Sequence, residues 1–330
     1  MNPNRSFISF NKAPRTNVTS IFLVVLGIVF ILFLSASITL IILFVTGEIT
    51  VKSPLNQSTT TRKIIQDTVP PQFYCGIQKV KPSIDLESLN RANGRIIGGN
   101  VAVAGSWPWK VSLRSLNKYK VGEHFCGGTL IYSQYVITAA HCVYKKNRLS
   151  YVIVVGEGDQ KIYYLSDLIF HPEFNDTEIF NDIAVLKLNK PVDHVETICL
   201  PDANFTQVFG KELVLIGRGS TSGKKKDLPK NLLQTILTVK NNDSICSTSN
   251  TIYCAISFDG SSNACYGDSG SPLMYYTNER WYIYGLTSYV IVSSEKCLPY
   301  YPSYYTAVPS YLDWIGSAIA TMDQSEKSKH

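Results

Sequence analysis

The stretch "HFCGGTLIYSQYVITAAHC", His124 to Cys142, indicates the fold. It contains two short runs of mainly apolar residues, "HFCGGTLI" and "YVITAA", joined by a polar turn. Further runs of this kind follow along the chain, "YVIVVG", "IAVLKL" and "ELVLIG", and are separated by Gly, Asn and Pro. Repeated short runs rich in Val, Ile and Tyr, without a long helical pattern, predict an all-β barrel or sandwich.

One helix is predicted, at the C-terminal end of this β-rich region. Its apolar residues recur at spacings of three and four and so share one face: Tyr311, Trp314, Ile315, Ala318 and Ile319. Ser310 directly precedes them and is expected to cap the first turn.

A second feature lies near the N-terminus, where residues 21–45 carry no charge. About 25 residues at about 1.5 Å each exceed the roughly 30 Å of bilayer hydrocarbon, which predicts a transmembrane helix over residues 21–46. The alternative is a cleaved signal peptide, whose apolar core is shorter, about 7–15 residues. Arg5, Lys12 and Arg15 precede the segment and Glu48 follows it, so we expect the N-terminus in the cytoplasm.

These features predict a single-pass type II protein of the plasma membrane. Residues 1–20 form a cytoplasmic tail, 21–46 the signal-anchor helix, 47–95 a short polar stem and pro-segment, and 96–330 an extracellular β-rich domain. The stem is rich in Ser and Thr and ends near Pro70 and Pro71, as is typical of a linker.

The cysteines and sequons agree with an extracellular location. The eight cysteines include no C-x-x-C pair, which favours disulfides over a zinc site and predicts an oxidising compartment. The sequons on the outer side are expected to carry glycans: Asn56, Asn175, Asn204 and Asn242. The net charge of +6 is not accompanied by basic runs with interleaved aromatics, so nucleic-acid binding is not predicted.

Three separated motifs carry side chains suited to nucleophilic catalysis. A serine hydroxyl needs a base to take its proton and donors for the oxyanion that forms. "ITAAHC" places His141 just after a strand, "FNDIAVLKL" places Asp182 at the start of a buried strand, and "GDSG" places Ser269 in a turn that glycine permits. Each motif alone is weak, because a histidine before a cysteine or an aspartate at a strand start is usually structural.

Together, and in the order His, Asp, Ser, these motifs resemble the trypsin/chymotrypsin family of serine proteases. The resemblance extends from Ile96 to about Ala320 and includes "RIIGG", "SWPWKVSL", "CGGTLI", "VITAAHC", "ICLP", "CYGDSGSPL" and "YYTAVPSYLDWI". It implies two six-stranded antiparallel β-barrels of the chymotrypsin type, with the active site in the cleft between them and a C-terminal helix.

The resemblance also implies the role of each residue. His141 is the general base and later the general acid, Asp182 orients it, Ser269 is the nucleophile, and the amides of Gly267 and Ser269 form the oxyanion hole. The other histidines lack such contexts and are interpreted as surface or loop residues: His124, His171, His194 and His330.

The stretch "NGRIIGG" resembles the activation site of that family. Cleavage after Arg95 would free the ammonium of Ile96, which would pair with Asp268, so the chain is expected to be a zymogen. The family's disulfide pattern implies the pairs Cys126–Cys142, Cys265–Cys297, Cys246–Cys254 and Cys75–Cys199. The last pair would keep the pro-segment attached after cleavage, as in a type II transmembrane serine protease with a short stem.

The matching positions of the specificity pocket are Asn263, Ala264, Ser288, Val290 and Ser303. Because Asn263 is uncharged and Val290 narrows the mouth, cleavage is expected after small or medium uncharged residues. The enzyme should then not cut its own Arg95, and a separate trypsin-like protease is expected to activate it.

Two residues depart from the family pattern without removing a catalytic group. Ser271 replaces a glycine and is expected to crowd the backbone, and Arg218 replaces a tryptophan. The stretch "VVGEGDQKIYYL" is too short for the calcium loop of some relatives, so no metal or other cofactor is expected.

The sequence thus predicts a membrane-anchored serine endopeptidase that acts on extracellular proteins or peptides and is a target for protein protease inhibitors. The alternative is a catalytically inactive relative that serves as an extracellular binding module.

Overall fold

The computed structural model describes residues 74–84, 99–118, 120–202, 207–224, 227–242 and 244–328. The predicted membrane span and the Arg95–Ile96 bond lie outside these residues, as do Asn56 and Asn204. Across the described ranges, no helix combines the length and the apolar character needed to cross a bilayer.

The first sheet has seven antiparallel segments in the order β6-β5-β2-β3-β4-β8-β7. They are β2 (Lys110–Asn117), β3 (Lys120–Tyr132), β4 (Tyr135–Thr138), β5 (Tyr151–Val155), β6 (Lys161–Tyr163), β7 (Leu165–Phe170) and β8 (Ala184–Leu188). The quoted stretch from His124 to Cys142 supplies part of β3, all of β4 and the turn after it, at the centre of this sheet.

The second sheet also has seven segments, in the order β1-β10-β11-β16-β13-β12-β9. They are β1 (Asn100–Val101), β9 (Glu212–Gly217), β10 (Leu233–Lys240), β11 (Ile252–Ile256), β12 (Pro272–Thr277), β13 (Arg280–Val290) and β16 (Ser303–Ala307). A direct pairing of β9 with β10 closes it into a barrel. A small separate hairpin joins β14 (Val292–Ser293) to β15 (Lys296–Cys297).

Each barrel has one segment more than the six expected. In the first barrel, β6 and β7 flank Tyr164, whose amide donates to the side chain of Asn189. Since β6 pairs with β5 and β7 with β8, the bent run 161–170 joins the two ends of the sheet. In the second barrel, the extra segment is the two-residue β1 on the edge of β10.

The C-terminal helix, α1 (Leu312–Lys327), follows a 3₁₀ turn at Val308–Tyr311. Its buried residues include Ile315, Ala318 and Ile319, which belong to the predicted apolar face. The predicted cap is wrong, because Ser310 lies inside the 3₁₀ turn and its hydroxyl donates to the carbonyl of Asn250. Tyr311 occupies the cap position and makes no side-chain cap bond.

The N-terminal segment 74–84 packs on the second barrel. Cys75 is bonded to Cys199, and the backbone of Gly76 donates to Thr197 and accepts from Trp281. Gly76 has a φ of +70°, and a Cβ there would lie 2.5 Å from the Trp281 carbonyl oxygen. The segment is therefore held by backbone contacts as well as by the disulfide.

Candidate active site

His141 and Asp182 meet between the two barrels. His141 lies in the 3₁₀ turn Ala140–Cys142 directly after β4, and Asp182 precedes β8, the neighbour of β4 in the sheet. His141 Nδ1 is 2.7 Å from Asp182 Oδ2, and the His141 amide donates to Oδ1 at 2.9 Å. The Asp182 side chain is 1% exposed and the imidazole 28%, so the carboxylate is shielded while the imidazole remains accessible.

The second barrel completes the environment of Asp182. The Ser288 hydroxyl on β13 donates to Oδ2 at 2.5 Å, and Thr306 Oγ1 on β16 donates to the Asp182 backbone carbonyl at 2.8 Å. A buried carboxylate is tolerated when several donors satisfy its oxygens. Ser288, which the sequence assigns to the specificity pocket, thus also contacts Asp182 through its hydroxyl.

Ser269 lies in a turn, residues 267–271, that both barrels hold in place; we call it the nucleophile turn. The Gly127 amide of β3 donates to the Ser269 carbonyl at 2.7 Å, and the Gly270 amide donates to Thr287 at 2.7 Å. Gly270 has a φ of +73°, and a Cβ there would lie 2.2 Å from Thr138 Oγ1. The turn therefore packs against the segment that leads to His141.

The structure brings Ser269 beside this segment without a bond from its hydroxyl to His141. Among the described residues the hydroxyl makes no hydrogen bond. Catalytic hydrogen bonds are often long before substrate binds.

The two amides assigned to the oxyanion hole are available. Gly267 has a φ of +98°, and neither its amide nor that of Ser269 finds an acceptor among the described residues. Free amides at a glycine-rich turn are the kind of donor that stabilises a developing oxyanion.

Asp268 points away from Ser269 into the second barrel. Its carboxylate accepts from the amides of Gly219 at 2.7 Å and Cys265 at 2.9 Å. A Cβ at Gly217 or Gly219 would lie about 2 Å from its oxygens, so both positions require glycine. Burial raises the pKa of Asp268 to about 6, against the bonds from these amides. The carboxylate lines a cavity of about 390 Å³ that Gly99 also lines.

The residues assigned to the pocket base form one hydrogen-bonded group. Asn263 Oδ1 accepts from the Ala264 amide at 2.8 Å and from the Ser303 hydroxyl, and its Nδ2 donates to the Tyr301 carbonyl. The Ser303 hydroxyl is also 2.7 Å from the Tyr305 hydroxyl. Val290, at the end of β13, is half-buried. Both lone pairs of the Asn263 oxygen are therefore occupied within the protein.

His124 is not the surface or loop residue that was expected. It lies on β3, where Nδ1 is 2.7 Å from Ser112 Oγ and Nε2 is 2.8 Å from the carbonyl of Gly267. Since a carbonyl can only accept, Nε2 carries the proton and Nδ1 accepts from Ser112. Burial, and then the charge of Lys110, lower the pKa of His124 to about 3.

Ser271, which replaces a glycine of the family pattern, has a buried polar partner. It is fully buried and its hydroxyl accepts from Lys110 Nζ at 2.8 Å. The sequence motifs did not assign His124 or Lys110 to the site. A lysine inside the apolar stretch "SWPWKVSL" could have indicated a buried charge. Arg218 is half-buried and donates to the carbonyl of Lys230.

Four disulfides join the pairs that the resemblance implies: Cys75–Cys199, Cys126–Cys142, Cys246–Cys254 and Cys265–Cys297. Within the described residues, one group of metal-ligand side chains lies close together, formed by His141 with Cys126 and Cys142. Its two sulfurs are bonded to each other, so it offers no thiolate to a metal ion.

Two of the predicted glycosylation sites lie on the surface. Asn175 is exposed and its side chain accepts from the amides of Thr177 and Glu178. Asn242 is also exposed and accepts from the amide of Thr248.

The comparison with protein-family models agrees with this geometry. The model described as Trypsin matches residues 96–315, about two thirds of the chain. The match begins at Ile96 and includes both barrels and the start of α1. The protein belongs to the trypsin family of serine proteases.

Proposed function

We propose that this chain is a membrane-anchored serine endopeptidase that hydrolyses extracellular proteins or peptides through an acyl-enzyme. The contact that supports this most is the 2.7 Å approach of His141 Nδ1 to the buried carboxylate of Asp182. The carboxylate accepts three hydrogen bonds, from two groups of His141 and from Ser288, so it holds the imidazole with Nε2 as the free base.

In the proposed first step, His141 Nε2 takes the proton of Ser269 while Oγ attacks the scissile carbonyl carbon. The carbonyl oxygen becomes an oxyanion, which the free amides of Gly267 and Ser269 stabilise. As the intermediate collapses, His141 gives the proton to the leaving amine, and the C–N bond breaks to leave the acyl ester on Ser269. A water molecule, deprotonated by His141, then releases the acid and regenerates the hydroxyl.

We infer that cleavage between Arg95 and Ile96 activates the chain. Gly99, three residues after Ile96, lines the same cavity as Asp268. This supports the proposal that a new ammonium at Ile96 pairs with the Asp268 carboxylate. A buried anion whose pKa is raised to about 6 gains from a nearby cation. An extracellular trypsin-like protease would make the cut, with the stem and the membrane helix at 21–46 holding the enzyme at the plasma membrane.

The pocket base favours a small or medium uncharged residue before the scissile bond. Asn263 has no charge, and its oxygen already accepts from Ala264 and Ser303. A desolvated guanidinium without its carboxylate costs on the order of 2–5 kcal/mol, which is roughly 30-fold to several-thousand-fold in discrimination.

The test of the reaction uses the full chain, cut with trypsin and exposed to a serine-directed fluorophosphonate. We expect stoichiometric labelling that is lost in Ser269→Ala. A properly folded and cut wild-type chain that takes no label would support the inactive-relative alternative, which no observation favours at present.

The test of specificity is a peptide library cleaved by the same cut and purified chain. We expect cleavage after Ala, Val or similar residues, and we expect Asn263→Asp to shift the preference towards Lys and Arg. Efficient cleavage after Arg by the wild type would refute the assignment of the pocket.

A further inference from the structure

Lys110 and Ser271 form a buried contact between the two barrels, under the nucleophile turn. Lys110 begins β2 of the first barrel, and Ser271 directly precedes β12 of the second. The ammonium is 2.8 Å from Ser271 Oγ and 3.3 Å from the Val111 carbonyl oxygen. Ser271 is 0% exposed and Lys110 8%.

A glycine opposite the pair makes room for it. A Cβ on Gly127 would lie 2.1 Å from Lys110 Nζ and 2.2 Å from Ser271 Oγ. The same Gly127 holds the nucleophile turn through its bond to the Ser269 carbonyl. The lysine, the serine and the glycine therefore pack together against this turn.

The nucleophile turn also carries a buried anion, Asp268, whose backbone carbonyl accepts from the Ser271 amide at 2.8 Å. No carboxylate hydrogen-bonds to Lys110 within the described ranges, but the charge of Asp268 acts on it through the protein interior, and Arg218 opposes this. Burial lowers the pKa of Lys110 to about 7, and Asp268 raises it in part. In return, Lys110 lowers the pKa of Asp268, which burial raises.

A lysine against a serine hydroxyl is also the geometry of a Ser-Lys catalytic pair. That reading fails here because Ser271 is fully buried, so no substrate carbonyl can reach its oxygen. The pair must act through its neighbours.

We propose that Lys110 is a positioning residue of the nucleophile turn, supplying Asp268 with an internal counter-charge that holds part of the turn in its working form before Arg95 is cut. Ser271 fixes the ammonium in place. The inference rests on the proposed function, since it concerns activation of the same site. Its consequence is that the uncut chain has measurable reactivity, which the ammonium of Ile96 later increases.

The experiment measures the rate of fluorophosphonate labelling in the full chain, in two forms. The uncut form carries Arg95→Gln, and the cut form keeps Arg95 and is treated with trypsin. We expect slow but measurable labelling of the uncut form, and Lys110→Met should reduce that rate roughly tenfold or more, because Asp268 then keeps its two amide donors but loses the buried counter-charge. In the cut form, where Ile96 supplies a cation, the same substitution should reduce the labelling rate much less.

Two further variants separate positioning from folding. Ser271→Gly keeps the lysine and removes its hydrogen-bond partner, so it should lower the uncut rate in the same direction as Lys110→Met. Lys187→Met is the matched control, since Lys187 is also buried but pairs with the C-terminal helix, so its substitution should leave both rates unchanged.

Each outcome decides the matter. Equal losses in the cut and uncut forms, or no labelling of the uncut form while the cut form reacts, would overturn the role of Lys110 alone. Absence of labelling in the cut wild type would instead overturn the proposed function, and the inference would fall with it.

Discussion

His124 links Ser112 of the first barrel to the nucleophile turn through two hydrogen bonds. It accepts from Ser112 and donates to the carbonyl of Gly267, whose amide is assigned to the oxyanion. Protonation would place a second proton at Nδ1, facing a hydroxyl that now donates to it, in a half-buried site near the ammonium of Lys110. The neutral form is therefore part of the folded arrangement.

The stability of the fold should depend on pH through this histidine. The folded pKa is about 3 and the ordinary value 6.5, so between these values the unfolded chain binds one more proton. The contribution is present above pH 6.5 and is lost as the pH falls, by about 1.4 kcal/mol per pH unit.

We expect the stability of His124→Gln to fall less steeply than that of the wild type as the pH drops, so the difference between the two proteins should change by about 1.4 kcal/mol per pH unit. The measurement is urea unfolding of both at pH 6.5 and pH 4.5. Parallel curves of stability against pH would mean that the fold does not lower the pKa of His124.

At the scale of elements, a cluster of one lysine and two carboxylates connects α1 to the first barrel. Lys187 on β8 is 3% exposed and contacts Asp323 at 2.7 Å and Glu326 at 2.5 Å. Tyr135 on β4 donates to Asp323 as well. Burial lowers the pKa of Lys187, but the bonds to Asp323 and Glu326 outweigh it and leave the pKa raised.

Substituting the carboxylates of this cluster should change stability more than substituting its lysine. Asp323→Asn with Glu326→Gln leaves a buried ammonium without a counter-charge, and we expect a loss of about 3 kcal/mol in the free energy of unfolding. Lys187→Met places an apolar chain in the same space and leaves carboxylates that reach water, so we expect a change below about 1 kcal/mol.

Chemical unfolding of the three proteins at pH 7 checks this asymmetry. Equal losses for the two changes would show that the ion pair itself, and not the stranded lysine, determines the cost. Because the pKa of Lys187 is raised in the folded protein, this ion pair also makes stability depend on pH. Its contribution to the free energy of unfolding is fully present below the ordinary lysine pKa and is lost as the pH rises through the folded pKa.

At the scale of the whole molecule, the N-terminal segment 74–84 is held on the second barrel by a disulfide and by backbone hydrogen bonds. The Cys75–Cys199 disulfide spans 124 residues of sequence, and backbone bonds between Gly76, Thr197 and Trp281 accompany it. A cut at Arg95 falls between the two cysteines, so the pieces remain covalently joined.

We expect the trypsin-cut full chain to run as one species on a non-reducing gel and as two after reduction. Cys75→Ser with Cys199→Ser should give two species under both conditions, while the other three disulfides serve as internal controls. Separation of the wild-type pieces without reductant would contradict the tether.

Much of the candidate site could be predicted from local sequence, for a physical reason. Motifs such as "VITAAHC" and "GDSG" combine a strand or a glycine turn with the reactive side chain, so the backbone that presents it is encoded beside it. The length of the apolar runs indicated strands, and the three-to-four spacing indicated the helix, because both periodicities follow from backbone geometry. Contacts across the barrels have no such local signature.

The sequence by itself determined the all-β class, the C-terminal helix and the family, because these depend on short motifs and on spacing. Only the tertiary structure decided which isolated polar residues of the sequence make contacts at the candidate site. Ser271 is buried against Lys110, which lies 161 residues away, His124 contacts Gly267 across 143, and Ser288 contacts Asp182 across 106. A buried polar group needs a partner, and the fold, not the neighbouring sequence, supplies it.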